Sequence, residues 1–175
     1  MDLIASFDSQ RVNTFDFFVL RGIFGRSGLF FLFDTGASCP VVGVNNFFDK
    51  DDMENKENLE KIIRDEISIQ KVAPRPIPLK AANSQPVTTY PCVCHGVSIE
   101  NTAEQEFYFD LSFDEISIPL LGSSFIDDCA YNHAINGNVN ITGMKKRAGA
   151  NYYNGRNVLD FDKVAKEYEK RYPAV

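Results

Sequence analysis

A chain of 175 residues, 44% of them hydrophobic and 24% charged, has the length for one ordinary globular domain with a real core and leaves no room for a second of full size. A formal net charge of -6 and a pI near 4.9 exclude the clustered basic footprint of a nucleic-acid binder and read instead as a solubility feature. No stretch has the length of a membrane span, and Met1 to Gln10, carrying Asp2 and Asp8, lacks the basic start and apolar run of a signal peptide. The expected compartment is therefore the reducing cytoplasm, where Cys39, Cys92, Cys94 and Cys129 are thiols. Fifteen Phe and no Trp point to an aromatic core.

Two apolar, Phe-rich runs, Phe15 to Leu20 and Leu29 to Phe33, flank Gly22, Gly25 and Gly28 and read as strands around a glycine-rich turn. The second run is continuous rather than alternating, which predicts a strand covered on both faces. It stops abruptly at Asp34-Thr35-Gly36. From Asp49 to Arg64 charges dominate, and Met53, Leu59, Ile62 and Ile63 recur at helical spacing, so a helix with one apolar stripe is expected there. Glu57, Glu60, Lys61 and Arg64 form its solvated face. Pro74, Pro76 and Pro78 forbid continuation and favour an extended approach to the next strand.

Three β-like segments follow, near Val87 to Val93, Val97 to Ile99 and Phe107 to Leu111. After Leu120-Leu121-Gly122, a short helix is expected over Ser123 to Asn132, with Ser123 or Ser124 as its cap. Asn136-Gly137 between Ile135 and Val139 is a hairpin signal whose second arm is Val139 to Thr142. A Gly- and Asn-rich patch, Gly149 to Gly155, precedes a helix expected from Asp160 to Arg171, with Phe161, Val164 and Tyr168 on one face. No internal repeat is visible. The count favours a mainly β domain with two peripheral helices, organised as residues 1–148 with a C-terminal helical extension, 149–175, packed on the same domain.

The segment that carries chemistry is Asp34-Thr35-Gly36-Ala37-Ser38. At the end of a buried strand, a sharp turn exposes a carboxylate at the mouth of a cleft; Gly36 suits the tight turn and Ala37 lets backbone approach backbone. Together with Pro119-Leu120-Leu121-Gly122-Ser123-Ser124-Phe125-Ile126, the stretch Phe31 to Ser38 resembles the retropepsin-like aspartic proteases over about Phe15 to Thr142. The resemblance implies an acid-protease half-barrel with a peripheral inserted helix and a C-terminal helix. It implies Asp34 as the catalytic carboxylate, Thr35, Gly36, Ala37 and Ser38 as its supporting turn, and Leu120, Leu121 and Gly122 as the element bracing that turn. Leu79 to Gln85 then corresponds to the flap, with Ala82, Asn83 and Ser84 against substrate; family flaps often carry glycine where this chain has Asn83-Ser84. The charged helix near Asp49 to Arg64 and the tail after Gly149 exceed a minimal retroviral protease.

One motif per chain sets the assembly. No other Asp here is followed by Thr or Ser and then Gly, so the resemblance implies a homodimer in which two Asp34 carboxylates share one water, with a protein or peptide substrate, no metal and no other cofactor. Close carboxylates cannot both ionise cheaply, a coupling established for aspartic proteases as a class. Thr35 would cross the dimer axis, or else serve only its own turn. Other chemistries have weaker footing. Cys129 and His133, four positions apart, would share a ligand face on a helix, but Cys92-Val93-Cys94-His95 lacks the usual two-residue gap of a zinc site and a cysteine is commonly a small buried apolar residue. No local sequence supports a Cys–His nucleophile, and Gly122-Ser123-Ser124-Phe125-Ile126 lacks the second glycine of a serine nucleophile elbow. The alternative from another class is a catalytically silent module of the same fold, kept for dimerisation or peptide binding.

Overall fold

The computed structural model describes residues 5–8, 14–17, 29–48, 52–78, 86–99, 105–133 and 138–173. Helices and strands are mixed, and the strands form two sheets. The larger, seven-stranded among the described residues, runs β3 (Leu29–Phe30), β2 (Thr14–Phe17), β6 (Pro86–Ile99), β7 (Gln105–Ser112), β4 (Val41–Gly43). Two further strands, β5 (Arg75–Pro78) and β10 (Leu159–Asp160), also pair with β6. The smaller sheet orders β1 (Ala5–Asp8), β9 (Asn138–Met144) and β8 (Cys129–His133), all antiparallel.

Where three β segments were expected between Val87 and Leu111, the first two are one strand, β6. Its register against β7 shifts between Cys94 and Val97, around Gly96 at φ 66. That left-handed glycine admits a bulge, so the polar His95-Gly96 step bends the strand without ending it. Pro76 and Pro78 sit in β5, which among the described residues pairs with β6 alone, the edge position that prolines in strands favour.

Helix α1 (Met53–Gln70) starts at Asp52, whose side chain accepts from Asn55 N, and runs beyond the expected Arg64. Leu59, Ile62, Ile63 and Glu66 are all buried, so the stripe persists for another turn before Lys71 closes the helix in a left-handed conformation. Helix α2 (Ser123–Ile126) is a single turn, shorter than the expected 123–132, and neither serine side chain caps it. Asp127 ends it, and residues 129–133 instead find ladder partners on β9. The turn at Asn136-Gly137, the strand residues beyond Phe17, and the glycine-rich segment through Gly28 lie outside the described residues.

Helix α3 (Phe161–Arg171) begins where Asp160 accepts from the backbone N–H groups of Asp162 and Lys163. Phe161, Val164, Ala165 and Tyr168 recur at i, i+3, i+4, i+7 and are all buried. Phe161 is the link to the rest of the core. Its ring lies 5.7 Å from Phe109 and 5.3 Å from Phe47, while Phe107 lies 5.5 Å from Phe31 and 5.9 Å from Phe125. One aromatic chain thus ties α3, β7, α2 and the strand that precedes Asp34, and each fully buried Phe contributes about 3–5 kcal/mol as judged by truncation to Ala. Among the described residues no helix is long and apolar enough to cross a membrane.

Candidate active site

The chain enters the Asp34 turn from β3 through Phe31, which is fully buried. Leu32 N donates to Pro119 O at 2.8 Å and Leu32 O accepts from Leu121 N at 2.9 Å. The chain leaves the turn through Val41, which exchanges a reciprocal pair of 2.9 Å bonds with Leu120. Residues 119–121 are therefore wedged between the incoming and outgoing arms of the turn, parallel to one and antiparallel to the other. The next residues continue the brace: Ser123 N donates to Ala37 O at 2.8 Å and Ser124 N to Ser38 O at 3.0 Å.

Gly122 makes this contact possible. Its φ of 77 and ψ of 156 belong to a region that only glycine occupies comfortably, and a Cβ there would lie 2.6 Å from Cys39 Cα and closer still to the Cys39 carbonyl. Gly36, by contrast, is not among the residues with positive φ. The sequence had suggested conformational freedom as its purpose; in the structure its amide is the functional part, donating to Asp34 Oδ1 at 2.8 Å. Ala37 N closes the turn on Asp34 O at 3.2 Å.

Asp34 is half-buried. One carboxylate oxygen is held by its own turn, and the other has no bond to a described residue. Thr35 is exposed at the tip, while Ala37 is buried and Ser38 half-buried. An oriented carboxylate with a free oxygen can accept a proton from water or donate one. Of the expected site residues, Asp34 to Ser38 and Leu120 to Gly122 thus meet in one place, while Ala82, Asn83 and Ser84 lie outside the described residues.

The turn has a second flank that sequence reading missed. Asp110, in the middle of β7, is fully buried, and its backbone N donates to Pro40 O at 2.8 Å. Its side chain accepts from Arg75 Nη2, Thr89 Oγ1 and Tyr153 Oη, each at 2.6 Å. Burial works against the Arg75 cation, yet the bond to Asp110 and its charge outweigh this and raise the Arg75 pKa. Cys39, 3.9 Å from Arg75 Nη2, has its thiol pushed up to about 12 by burial and then by Asp110. Burial, then Cys39 and Asp110, hold the Tyr153 hydroxyl well above its ordinary value. The available signal was an Asp inside Phe107-Tyr108-Phe109-Asp110-Leu111: a charge in an apolar strand demands a partner.

Cys92 and Cys94 are fully buried, and burial raises both thiols well above their usual range, so each is a neutral core residue. Cys129 stands on β8, not on the helix that would have paired it with a residue four positions on. Among the described residues, the ligand atoms of His95, Asp160 and Asp162 lie within 4.8 Å of one another, but Asp160 Oδ1 is already occupied in capping α3. That group includes neither Cys92 nor Cys94.

No family model matches the chain, and no curated protein matches it. Among solved structures, the chain is similar to a retropepsin-like aspartic protease from Rickettsia conorii, with a TM-score of 0.41 and 14% identity over 78% of this chain and 88% of that one. That likeness is distant, and the case for function rests on the residues around Asp34.

Proposed function

We propose that this chain is one half of a retropepsin-like aspartic endopeptidase, with the half-barrel architecture of that family, whose site is completed when a second copy brings its own Asp34 to a shared twofold axis. The observation that supports this most is the Asp34 turn: a half-buried carboxylate three residues beyond the buried Phe31, oriented by Gly36 N and braced by Leu120 to Ser124, with one oxygen that bonds to no described residue. One such motif occurs per chain, so the second carboxylate has to come from a partner.

In this reading the paired carboxylates hold one proton between them, because two adjacent negative charges are costly. The ionised Asp34 takes a proton from a water lying between the two, and the water oxygen attacks the scissile carbonyl carbon of an extended peptide. The protonated Asp34 of the partner subunit gives its proton to the carbonyl oxygen. Asp34 then passes the proton it took from water to the departing amine, while the carboxylate of the partner subunit's Asp34 takes one back from a hydroxyl of the tetrahedral diol. The C–N bond breaks, the carboxylic acid product forms, and the pair is again singly protonated as at the start. Thr35, exposed at the tip of the turn, faces the partner turn and fixes their register. The segment from Leu79 to Gln85, with Ala82, Asn83 and Ser84, closes over the substrate.

The test is Asp34→Asn, which keeps side-chain size but removes the acid–base function. The variant is expected to fold and dimerise as the parent does, by mass and thermal unfolding, while cleavage of a peptide library disappears. Retained cleavage by the folded variant would remove Asp34 from the mechanism. A parent that binds peptides and cleaves none would instead indicate a silent binding module.

A further inference from the structure

Asp110 is a costly way to fill a core position. It lies between Phe109 and Leu111 on β7 with its side chain out of water, a place where an apolar residue would pack without any need for partners. The four segments it joins are instructive. Its backbone holds Pro40, just after the Asp34 turn, while its carboxylate collects Arg75 from β5, Thr89 from β6 and Tyr153 from the C-terminal 3-10 turn, Ala150–Tyr153. The strands β5 and β6 are the two arms leading into and out of residues 79–85. Tyr152 reinforces the arrangement, its hydroxyl 3.0 Å from Arg75 Nη1 and its ring 4.8 Å beneath the guanidinium.

We infer that the buried Asp110–Arg75–Tyr153 cluster is a positioning device for the Asp34 turn, by which the C-terminal segment and the two arms flanking residues 79–85 hold the outgoing side of that turn. The brace at Leu120 to Ser124 fixes one flank through backbone bonds; Asp110 fixes the other, through Pro40 and through Arg75 against Cys39. Charged hydrogen bonds at 2.6 Å are directional, so the cluster defines the spacing of four segments more sharply than apolar contacts would. Arg75, Asp110 and Tyr153 are positioning residues and take no part in bond-making. The kinetic consequence rests on the proposed proteolysis; the structural consequence does not.

Tyr153→Phe in the full chain is the test, because it deletes one hydroxyl and leaves the ring in place against Tyr108, 5.5 Å away. Two readouts are taken. Amide hydrogen exchange is followed in peptides covering 34–41, with α1 as the internal control, and kcat and KM are measured on a cleaved peptide. Exchange over 34–41 is expected to quicken about tenfold with α1 unchanged, and kcat to fall roughly tenfold with KM within about twofold, since the reacting geometry is disturbed rather than peptide binding. Tyr152→Phe, which loses only the bond to Arg75, is expected to show the same pattern to a smaller degree. Exchange that rises equally everywhere, or not at all over 34–41, would overturn the inference. Should the parent cleave nothing, the protease reading fails on its own, while the exchange data still decide whether the cluster holds the turn.

Discussion

Replacing Gly122 with Ala tests the construction of the site at its tightest point. Two costs combine. Forcing an L-residue into φ 77, ψ 156 is worth about 1–3 kcal/mol in backbone strain, and the new methyl meets the Cys39 backbone, which cannot swing aside as a flexible side chain does. Overpacking of that kind costs about 1–3 kcal/mol more. The expected loss is about 4 kcal/mol, a large share of the roughly 5–15 kcal/mol by which domains are stable. For a chain of this size that corresponds to a fall in Tm of about 8–16 °C. Gly155→Ala is the matched control, because Gly155 has nearly the same φ, 76, but nothing within 4 Å of an added Cβ. It is expected to lose only about 1 kcal/mol, from the left-handed backbone alone. Urea unfolding of both variants beside the parent separates the terms. If Gly122→Ala proved no more destabilising than Gly155→Ala, the close approach of 122 to 39 would be wrong, and with it the brace under the Asp34 turn.

Two further outcomes follow from the electrostatics and the capping. Cys39, with its folded thiol pushed up to about 12 from 9.0, and Cys92 and Cys94, raised well above 9.0, stay protonated in the folded state while unfolded thiols ionise. Above pH 9.0 the unfolded chain therefore binds fewer protons, so stability is flat with respect to these groups at lower pH and falls as pH rises toward about 12, by roughly 1.4 kcal/mol per pH unit for each thiol titrating. Chemical unfolding at a series of pH values checks this, and constant stability across the window would contradict it. Asp160→Ala removes the acceptor for two amides at the start of α3 and is expected to lower stability by about 1 kcal/mol, read as a thermal shift of about 2–4 °C; an unchanged Tm would show the cap to be idle.

What was legible in the sequence was what short-range chemistry specifies. The apolar run ending at Asp34-Thr35-Gly36, the Leu120-Leu121-Gly122 step and the helical stripes of α1 and α3 each carry their signal within a few residues. Helix α3 occupies the expected stretch, while α1 runs past Arg64 to Gln70 with Met53 exposed, and the strand at the start of the apolar run is Leu29–Phe30 alone. Boundaries failed where partners elsewhere decided them. The stretch after Ser123 has a plausible helix start, but Cys129 to His133 is claimed by β9, and helix propensity over ten residues is too weak to resist a ladder. The need for positive φ fell on Gly122 rather than Gly36 for a similar reason. Which glycine needs positive φ depends on the close approach of Cys39, 83 positions before Gly122 in the chain, and no local pattern encodes that. The Asp110 cluster was invisible because its bonds span 35, 21 and 43 residues. Only the charge of Asp110, set between Phe109 and Leu111, hinted that something had to meet it.

The shared site is tested most directly by mixing. Parent and Asp34→Asn chains, unfolded together and refolded, pair at random if the twofold dimer is real, and a mixed pair has one carboxylate where the mechanism needs two. With the amount of parent held fixed, activity is predicted to fall to about half at equal amounts of variant and to about one-tenth at ninefold excess, because only parent–parent pairs cleave. Parent activity that stays constant under excess folded variant would mean that a single chain carries the whole site, and the paired Asp34 account would be wrong.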